Sequence, residues 1–98
     1  MKQSFTKERF IYEFLKVRPD NFSRDGLSAL FDFIEEIEEQ DGKEVEFDPI
    51  AFCVEFTEYE DLQECIDNYG INFTNMQQLS YHTILIPIDH ERFIIADF

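Results

Sequence analysis

The chain of 98 residues contains no tryptophan and has three glycines, three prolines and two cysteines. With so little glycine and proline it has no low-complexity segment or obvious linker, and its length suits a single domain. Two cysteines do not make a disulfide framework, and no apolar run approaches the roughly 18 residues of a membrane span. The first residues, M-K-Q-S-F-T-K-E-R, lack an apolar signal region. The sequence therefore predicts one cytosolic domain with reduced thiols.

Basic residues are also scarce: 8 lysines and arginines stand against 22 acidic residues, for a net charge of −14. This charge disfavours binding to nucleic acid or an anionic membrane, because like charges repel over a Debye length of roughly 8–10 Å. It favours a basic protein as partner. The charge is uneven: residues 1–24 carry six bases and three acids (+3), and residues 25–98 carry two bases and 19 acids (−17). Two alternatives remain: the acidity only aids solubility, or the basic N-terminal segment lies against the acidic remainder and neutralises it.

Apolar residues are plentiful, and twelve of them are phenylalanines, which bury a large area per side chain. Their spacing predicts a helix over residues 6–17 with Thr6 as N-cap, ended by Arg18-Pro19. A second helix is predicted over residues 24–39 with Ser23 as N-cap, followed by a turn at Asp41-Gly42. Both helices therefore place one apolar face toward a common core.

The outer face of the second predicted helix is strongly acidic. Asp32, Glu35, Glu36 and Glu39 form one ridge opposite its apolar residues. Like charges at i+3 and i+4 cost a few tenths of a kcal/mol per pair, so the helix tolerates several unfavourable neighbours. Asp41, Glu44 and Glu46 continue the acidic stretch through the turn into a possible short strand at 45–48.

The second half of the chain predicts the sheet. Pro49 interrupts the possible strand at 45–48 or marks a bulge, because it has no N–H for the ladder. Alternation of Ile50, Phe52, Val54 and Phe56 indicates a strand over residues 50–56. Thr57 to Glu60 matches a capping box, which predicts a helix over 58–69 ended by Gly70, with Glu60, Glu64 and Asp67 on its outer face. Residues 76–79 suit one helical turn. A hairpin of strands 83–88 and 92–97 closes the chain, and Pro87 favours an edge position in it or a pairing that skips its nitrogen.

These elements predict an α+β fold. About three antiparallel strands, two of them in the C-terminal β-hairpin, pack against about three amphipathic helices in a single domain over residues 1–98.

A search for catalytic chemistry finds no phosphate-binding glycine loop, no H-E-x-x-H, no C-x-x-C and no G-x-S-x-G. Cys53 and Cys65 lie at apolar positions and are interpreted as core thiols. His90, between Asp89 and Glu91 in a predicted turn, is interpreted as an exposed histidine rather than a metal ligand. We therefore expect no catalytic residue, no metal site, no cofactor and no enzyme activity.

The acidic surface is the remaining functional candidate. A rigid helix with carboxylates at every turn is coarsely similar to a row of phosphates, and DNA presents about one charge per 1.7 Å of axis counting both strands. A protein with a basic nucleic-acid groove is the partner that such a surface fits. The predicted partner-binding residues share an acidic side chain and a predicted exposed position: Asp32, Glu35, Glu36, Glu39, Asp41, Glu44, Glu46, Glu60, Glu64 and Asp67.

Three segments carry a resemblance to known proteins: R-D-G-L-S-A-L-F-D-F-I-E-E-I-E-E (24–39), D-P-I-A-F-C-V-E-F-T-E-Y-E-D-L-Q-E (48–64) and I-L-I-P-I-D-H-E-R-F-I-I-A-D-F (84–98). They resemble a family of small acidic proteins carried by bacteriophages and prophages. The resemblance implies a protein that acts in the cytoplasm of a bacterial host, as an anti-CRISPR or anti-restriction inhibitor that imitates DNA. The alternative is an antitoxin-like or regulatory interaction module that uses a phenylalanine-rich surface.

Overall fold

The computed structural model describes residues 5–98 as an α+β fold with five helices and three strands in that range. The helices are α1 (Lys7–Val17), α2 (Arg24–Asp41), α3 (Pro49–Glu55), α4 (Leu62–Tyr69) and α5 (Met76–Ser80). The strands are β1 (Phe56–Tyr59), β2 (Leu85–Pro87) and β3 (Phe93–Ala96). The predicted helices at 6–17 and 24–39, the helical turn at 76–79 and the C-terminal hairpin are confirmed.

The sheet is antiparallel, with β3 in the centre and the order β1-β3-β2. Tyr59 lies opposite Phe93 in the β1–β3 pair, and Pro87 lies opposite Phe93 in the β2–β3 pair. Pro87 therefore occupies an edge strand, as the sequence predicts.

Helices cover both faces of this sheet. Ile86 and Ile94 point to one face and join the buried side chains of α1, α2 and α3, including Phe10, Phe14 and Leu30. Phe93 and Ile95, the neighbours of Ile94 in β3, point to the other face and join Cys65 of α4 and Leu79 of α5. Because successive strand residues point to opposite faces, the alternation in β3 assigns α2 and α4 to opposite sides of the sheet.

The strand predicted over residues 50–56 is wrong: Pro49–Glu55 is helix α3 and the strand begins at Phe56. The Asp48 carboxylate accepts the Ala51 N–H at 3.2 Å, and Pro49 occupies the first helical turn, where its missing N–H costs nothing. Ile50 and Val54 are exposed, whereas Pro49 and Phe52 are buried. The alternation of apolar residues was therefore misleading. The Asp48-Pro49 pair and the i, i+3 spacing of Pro49 and Phe52 are the sequence features that indicate a helix here.

The capping box at Thr57 is also wrong, since residues 57–59 belong to β1. The N-cap of α4 is Asp61, whose carboxylate accepts the Glu64 N–H at 2.9 Å. Residues 45–48, the possible short strand, have no regular secondary structure. The end of α4 at Gly70 is confirmed, and this glycine has the left-handed conformation with φ 71° that favours glycine.

Glu58, which the capping box would have placed in a helix, joins β1 to the start of α2. Its carboxylate accepts hydrogen bonds from the backbone N–H and the hydroxyl of Ser23, at 3.0 and 3.1 Å. Gly26 lies next to this carboxylate, and a Cβ at position 26 would overlap it. The glycine is therefore needed for close approach between α2 and β1.

We expect Gly26→Ala to destabilise the protein by about 0.5–2 kcal/mol. Alanine favours a helix by roughly 1 kcal/mol over glycine, but the shift of the Glu58 carboxylate costs the equivalent of one charged hydrogen bond, about 1.5–3 kcal/mol. In a Glu58→Ala background the same change should become neutral or stabilising. Urea unfolding of the four proteins in this cycle measures the change of sign. Stabilisation by Gly26→Ala in both backgrounds would show that Glu58 does not restrain α2.

The two cysteines lie 12 positions apart on opposite sides of the sheet, and both are free thiols. Cys65 is fully buried, and burial raises the pKa of its thiol. Cys53 is half-buried in α3 rather than inward on a strand; burial also raises its thiol pKa, partly offset by Arg18.

We expect both thiols to react slowly with a disulfide reagent in the native protein, and Cys65 more slowly than Cys53. Thiolate is the reacting species, so the raised pKa values keep reactivity low near pH 8 and let it rise at higher pH. Single Cys→Ser variants assign each rate, and unfolded protein gives the unrestrained rate. Immediate native reaction of Cys65 would contradict its position in the core.

Candidate partner-binding surface

Helix α2 carries seven acidic residues, more than any other helix of the described chain. It begins at the Ser23 cap, whose hydroxyl accepts the Gly26 N–H at 2.9 Å, and ends at Gly42, whose N–H donates to the Glu38 carbonyl at 2.9 Å. Asp25 lies favourably near the positive N-terminal end of the helix dipole, but the last turn contains no basic residue. The acidic residues near Asp41 therefore remain at the unfavourable end.

The ridge of Asp32, Glu35, Glu36 and Glu39, named here the α2 ridge, is exposed throughout, as predicted. Asp32 forms an ion pair with Lys7 of α1, with 2.9 Å between Nζ and Oδ1. Within residues 5–98 no ion pair or side-chain hydrogen bond engages Glu35, Glu36 or Glu39. Among residues 5–98, the basic N-terminal segment thus neutralises only Asp32 of the ridge, and Glu35, Glu36 and Glu39 have no such partner.

Asp41, Glu44 and Glu46 lie beside the end of the α2 ridge. All three are exposed. The Val45 N–H donates to the Glu38 carboxylate at 2.7 Å, which ties the segment after Gly42 back to the last turn of α2. These acids therefore extend the charge of α2 at its C-terminal end.

Glu60, Glu64 and Asp67 do not join this surface. They are exposed, but α4 covers the opposite face of the sheet from α2. Glu60 precedes the helix instead of lying on it, and Asp67 accepts a hydrogen bond from Gln63 at 2.9 Å. The sequence therefore located exposed acids correctly, but the fold divides them between two sides of the protein.

A groove that sequence reasoning missed lies between α2 and β2. Its volume is about 720 Å³, and one wall is a stripe of α2 that includes Ala29, Phe33 and Glu36. Arg92 closes one end of it by bonding Asp25 of α2 and Asp89 of the hairpin turn, each at 2.8 Å. Hydrogen bonds from the Arg92 and Glu91 N–H groups, together with the Arg92 guanidinium, hold the pKa of Asp89 well below its usual range. The groove depends on contacts between residues far apart in the sequence, such as Arg92 with Asp25, and local residue spacing does not reveal such contacts.

Residues 5–98 contain neither a metal-binding cluster nor a membrane-spanning helix. No group of three or more histidine, cysteine or acidic side chains in this range is arranged to hold a metal ion. None of the helices in this range has the length and apolarity that crossing a membrane requires.

Comparison of the chain with protein-family models, with curated proteins and with solved structures gives no match in any of the three. The α2 ridge and the neighbouring groove are therefore the features of the described residues that bear on function.

We expect the triple variant Glu35→Gln, Glu36→Gln, Glu39→Gln to be more stable than the parent at low ionic strength. The ridge contains four like-charge neighbours at i+3 or i+4, and the substitutions relieve all of them, worth about 1 kcal/mol in total. The melting temperature should rise by about 4–8 °C. Added salt up to about 0.2 M should stabilise the parent and shrink the difference, because it screens self-repulsion. A melting temperature of the parent that falls with salt would indicate that pairing with the basic segment dominates.

Proposed function

We propose that this protein is a non-enzymatic, phage-encoded inhibitor of a host defence protein that binds nucleic acid, of the anti-CRISPR or anti-restriction type. In this proposal it acts in the bacterial cytoplasm, and its acidic face occupies the partner's basic groove in place of DNA or RNA. The observation that carries the proposal is the exposed α2 ridge, with three carboxylates that have no partner among residues 5–98.

The spacing of the ridge supports this reading. Asp32 and Glu39 are seven residues apart, which is about 10 Å of helix axis, so the four carboxylates follow one another at a mean interval of roughly 3.5 Å. Phosphates follow one another at about 3.4 Å of axis along a DNA strand. Because α2 is a rigid helix packed on the core through Leu30 and Ile34, the charges are held in place before binding.

The division of acids between two faces limits the contact. A basic groove that accepts α2 faces the α1–α2 side of the sheet, and α4 lies on the other side. We therefore assign the contact to the α2 ridge, extended by Asp41, Glu44 and Glu46. In this proposal Glu60, Glu64 and Asp67 contribute to the overall field rather than to the contact.

The alternative of an antitoxin-like or regulatory module is disfavoured by the position of the phenylalanines. All twelve lie in the described chain, and Phe98 alone is exposed, at 48%. The remaining eleven are buried or half-buried in the two apolar clusters on either side of the sheet. The phenylalanine-rich surface that this alternative requires is therefore not present.

The test expresses the protein in bacteria that carry an active CRISPR or restriction system and measures phage plating efficiency. We expect the parent to raise plating, and Glu35→Gln, Glu36→Gln, Glu39→Gln to lose at least about tenfold of that effect, because the charge contacts are removed. The matched comparison is Glu60→Gln, Glu64→Gln, Asp67→Asn, which removes the same charge from the opposite face and should change plating by less than about twofold.

The captured partner provides a second measurement. We expect a protein drawn from lysate by the immobilised parent to be released by duplex DNA and by salt, because both compete for the same basic groove. If both triple variants lose the effect on plating equally, the net charge of the protein is responsible for the effect and the α2 ridge has no special role. Plating unchanged by the parent against every system tested, together with capture that DNA does not compete, would overturn the proposal.

A further inference from the structure

The free edge of β2 opens on the groove beside α2. The Ala96 N–H donates to the Ile84 carbonyl and the Ile88 N–H donates to the Arg92 carbonyl, both at 3.0 Å. In an antiparallel ladder the residues between such pairs point their backbone groups the other way. The Leu85 N–H, the Leu85 carbonyl and the Pro87 carbonyl therefore face away from β3, on the outer edge of the sheet.

The walls of this groove combine apolar and acidic groups. Ala29, Phe33 and Ile88 supply apolar surface, and Asp25, Asp32, Glu36 and Asp89 supply four carboxylates against the single base Arg92. Arg92 binds Asp25 and Asp89 at one end, and Lys7 binds Asp32. Glu36 has no such partner within residues 5–98 and is exposed. The open charge of the groove is thus concentrated near Glu36, beside the start of β2.

We propose that the groove between α2 and β2 receives an extended basic segment of the partner protein, which adds a strand to the free edge of β2. The segment's N–H groups donate to the Leu85 and Pro87 carbonyls, and one of its carbonyls accepts the Leu85 N–H. Its side chains that point toward α2 are lysine or arginine, whose charged groups meet Glu36 and Asp32 and whose methylene groups lie against Phe33 and Ile88. The side chains between them point to the opposite face of the sheet. This inference rests on the proposed function for the nature of the partner.

The negative net charge of the protein favours a basic segment, rather than a second copy of the chain, as the occupant of the groove. Two copies that paired through β2 would bring together two surfaces of a protein with net charge −14, and each groove would present acids to acids. Pro87 also removes one donor from the edge, which weakens pairing between two identical edges. A basic segment meets neither obstacle, because it brings its own donors and the opposite charge.

The test titrates the ¹⁵N-labelled full chain with the acetylated, amidated peptide KVKVKVK. The matched control KPKPKPK carries the same charge but lacks the N–H groups for a strand at alternate positions. We expect KVKVKVK to bind about tenfold more tightly, because it alone completes the hydrogen bonds to β2. The Leu85 amide should exchange rapidly with solvent in the free protein and slowly in the complex.

Three variants locate the contact. Glu36→Lys, on the surface of α2, should weaken binding of KVKVKVK about fivefold or more by reversing the open charge. Glu55→Lys makes the same change outside the groove and should alter binding by less than about twofold. Ala29→Arg should block the groove, with circular dichroism verifying the fold.

The outcomes separate this inference from the proposed function. Equal affinity for the two peptides, no protection of Leu85, or equal effects of Glu36→Lys and Glu55→Lys would overturn strand addition. A dimer that forms through the groove and excludes the peptide would also overturn it. If the peptide binds as expected while the parent has no effect on phage plating, strand addition in the groove is supported and the proposed function is wrong. If the parent raises plating but the peptide does not bind, the proposed function is supported and strand addition is wrong.

Discussion

The central strand β3 imposes the constraint on which the rest of the fold depends. Phe93, Ile94 and Ile95 are each fully buried, so both faces of the sheet must be covered. A strand that is apolar on both faces is difficult for a short chain to bury, because each face needs its own layer of helices. The chain meets this demand with α1, α2 and α3 on one side and α4 and α5 on the other. Phenylalanine, with its large buried area, makes these thin layers sufficient.

This arrangement also determines the electrostatic surface. Each covering helix has its apolar face against the sheet, so its charged residues can only point outward. On α2 the outward residues are acidic at successive turns, and the repulsion between them opposes folding by tenths of a kcal/mol per pair. Burying one residue such as Leu30 or Ile34 stabilises by roughly 1.5–3 kcal/mol, which outweighs several such pairs. The core can therefore hold a charged helix that would be marginal in isolation.

The proposed contact joins two consequences of the same packing. Because α2 runs beside the edge strand β2, the acidic ridge and the unpaired backbone groups of Leu85 and Pro87 lie along one groove. The ridge offers long-range attraction to a basic partner, and the edge offers short-range hydrogen bonds with a defined direction. Asp32 and Glu36 belong to both surfaces, whereas Glu35 and Glu39 lie outside the groove lining. The two modes of binding can therefore be separated residue by residue.

The amino-acid sequence by itself determined the features that depend on local periodicity and composition. These are α1 and α2 with their Thr6 and Ser23 caps, the ends of helices at Gly42 and Gly70, the C-terminal hairpin, the buried Cys65 and the exposure of the acidic residues. Only the tertiary structure decided that residues 56–59 form a strand, because Thr57 pairs with Ile95 across the chain and that pairing outweighs the capping pattern at Thr57. It also decided which acids share a face, because the pairing of β1 and β2 with β3 places α2 and α4 on opposite sides, and no local spacing contains that information.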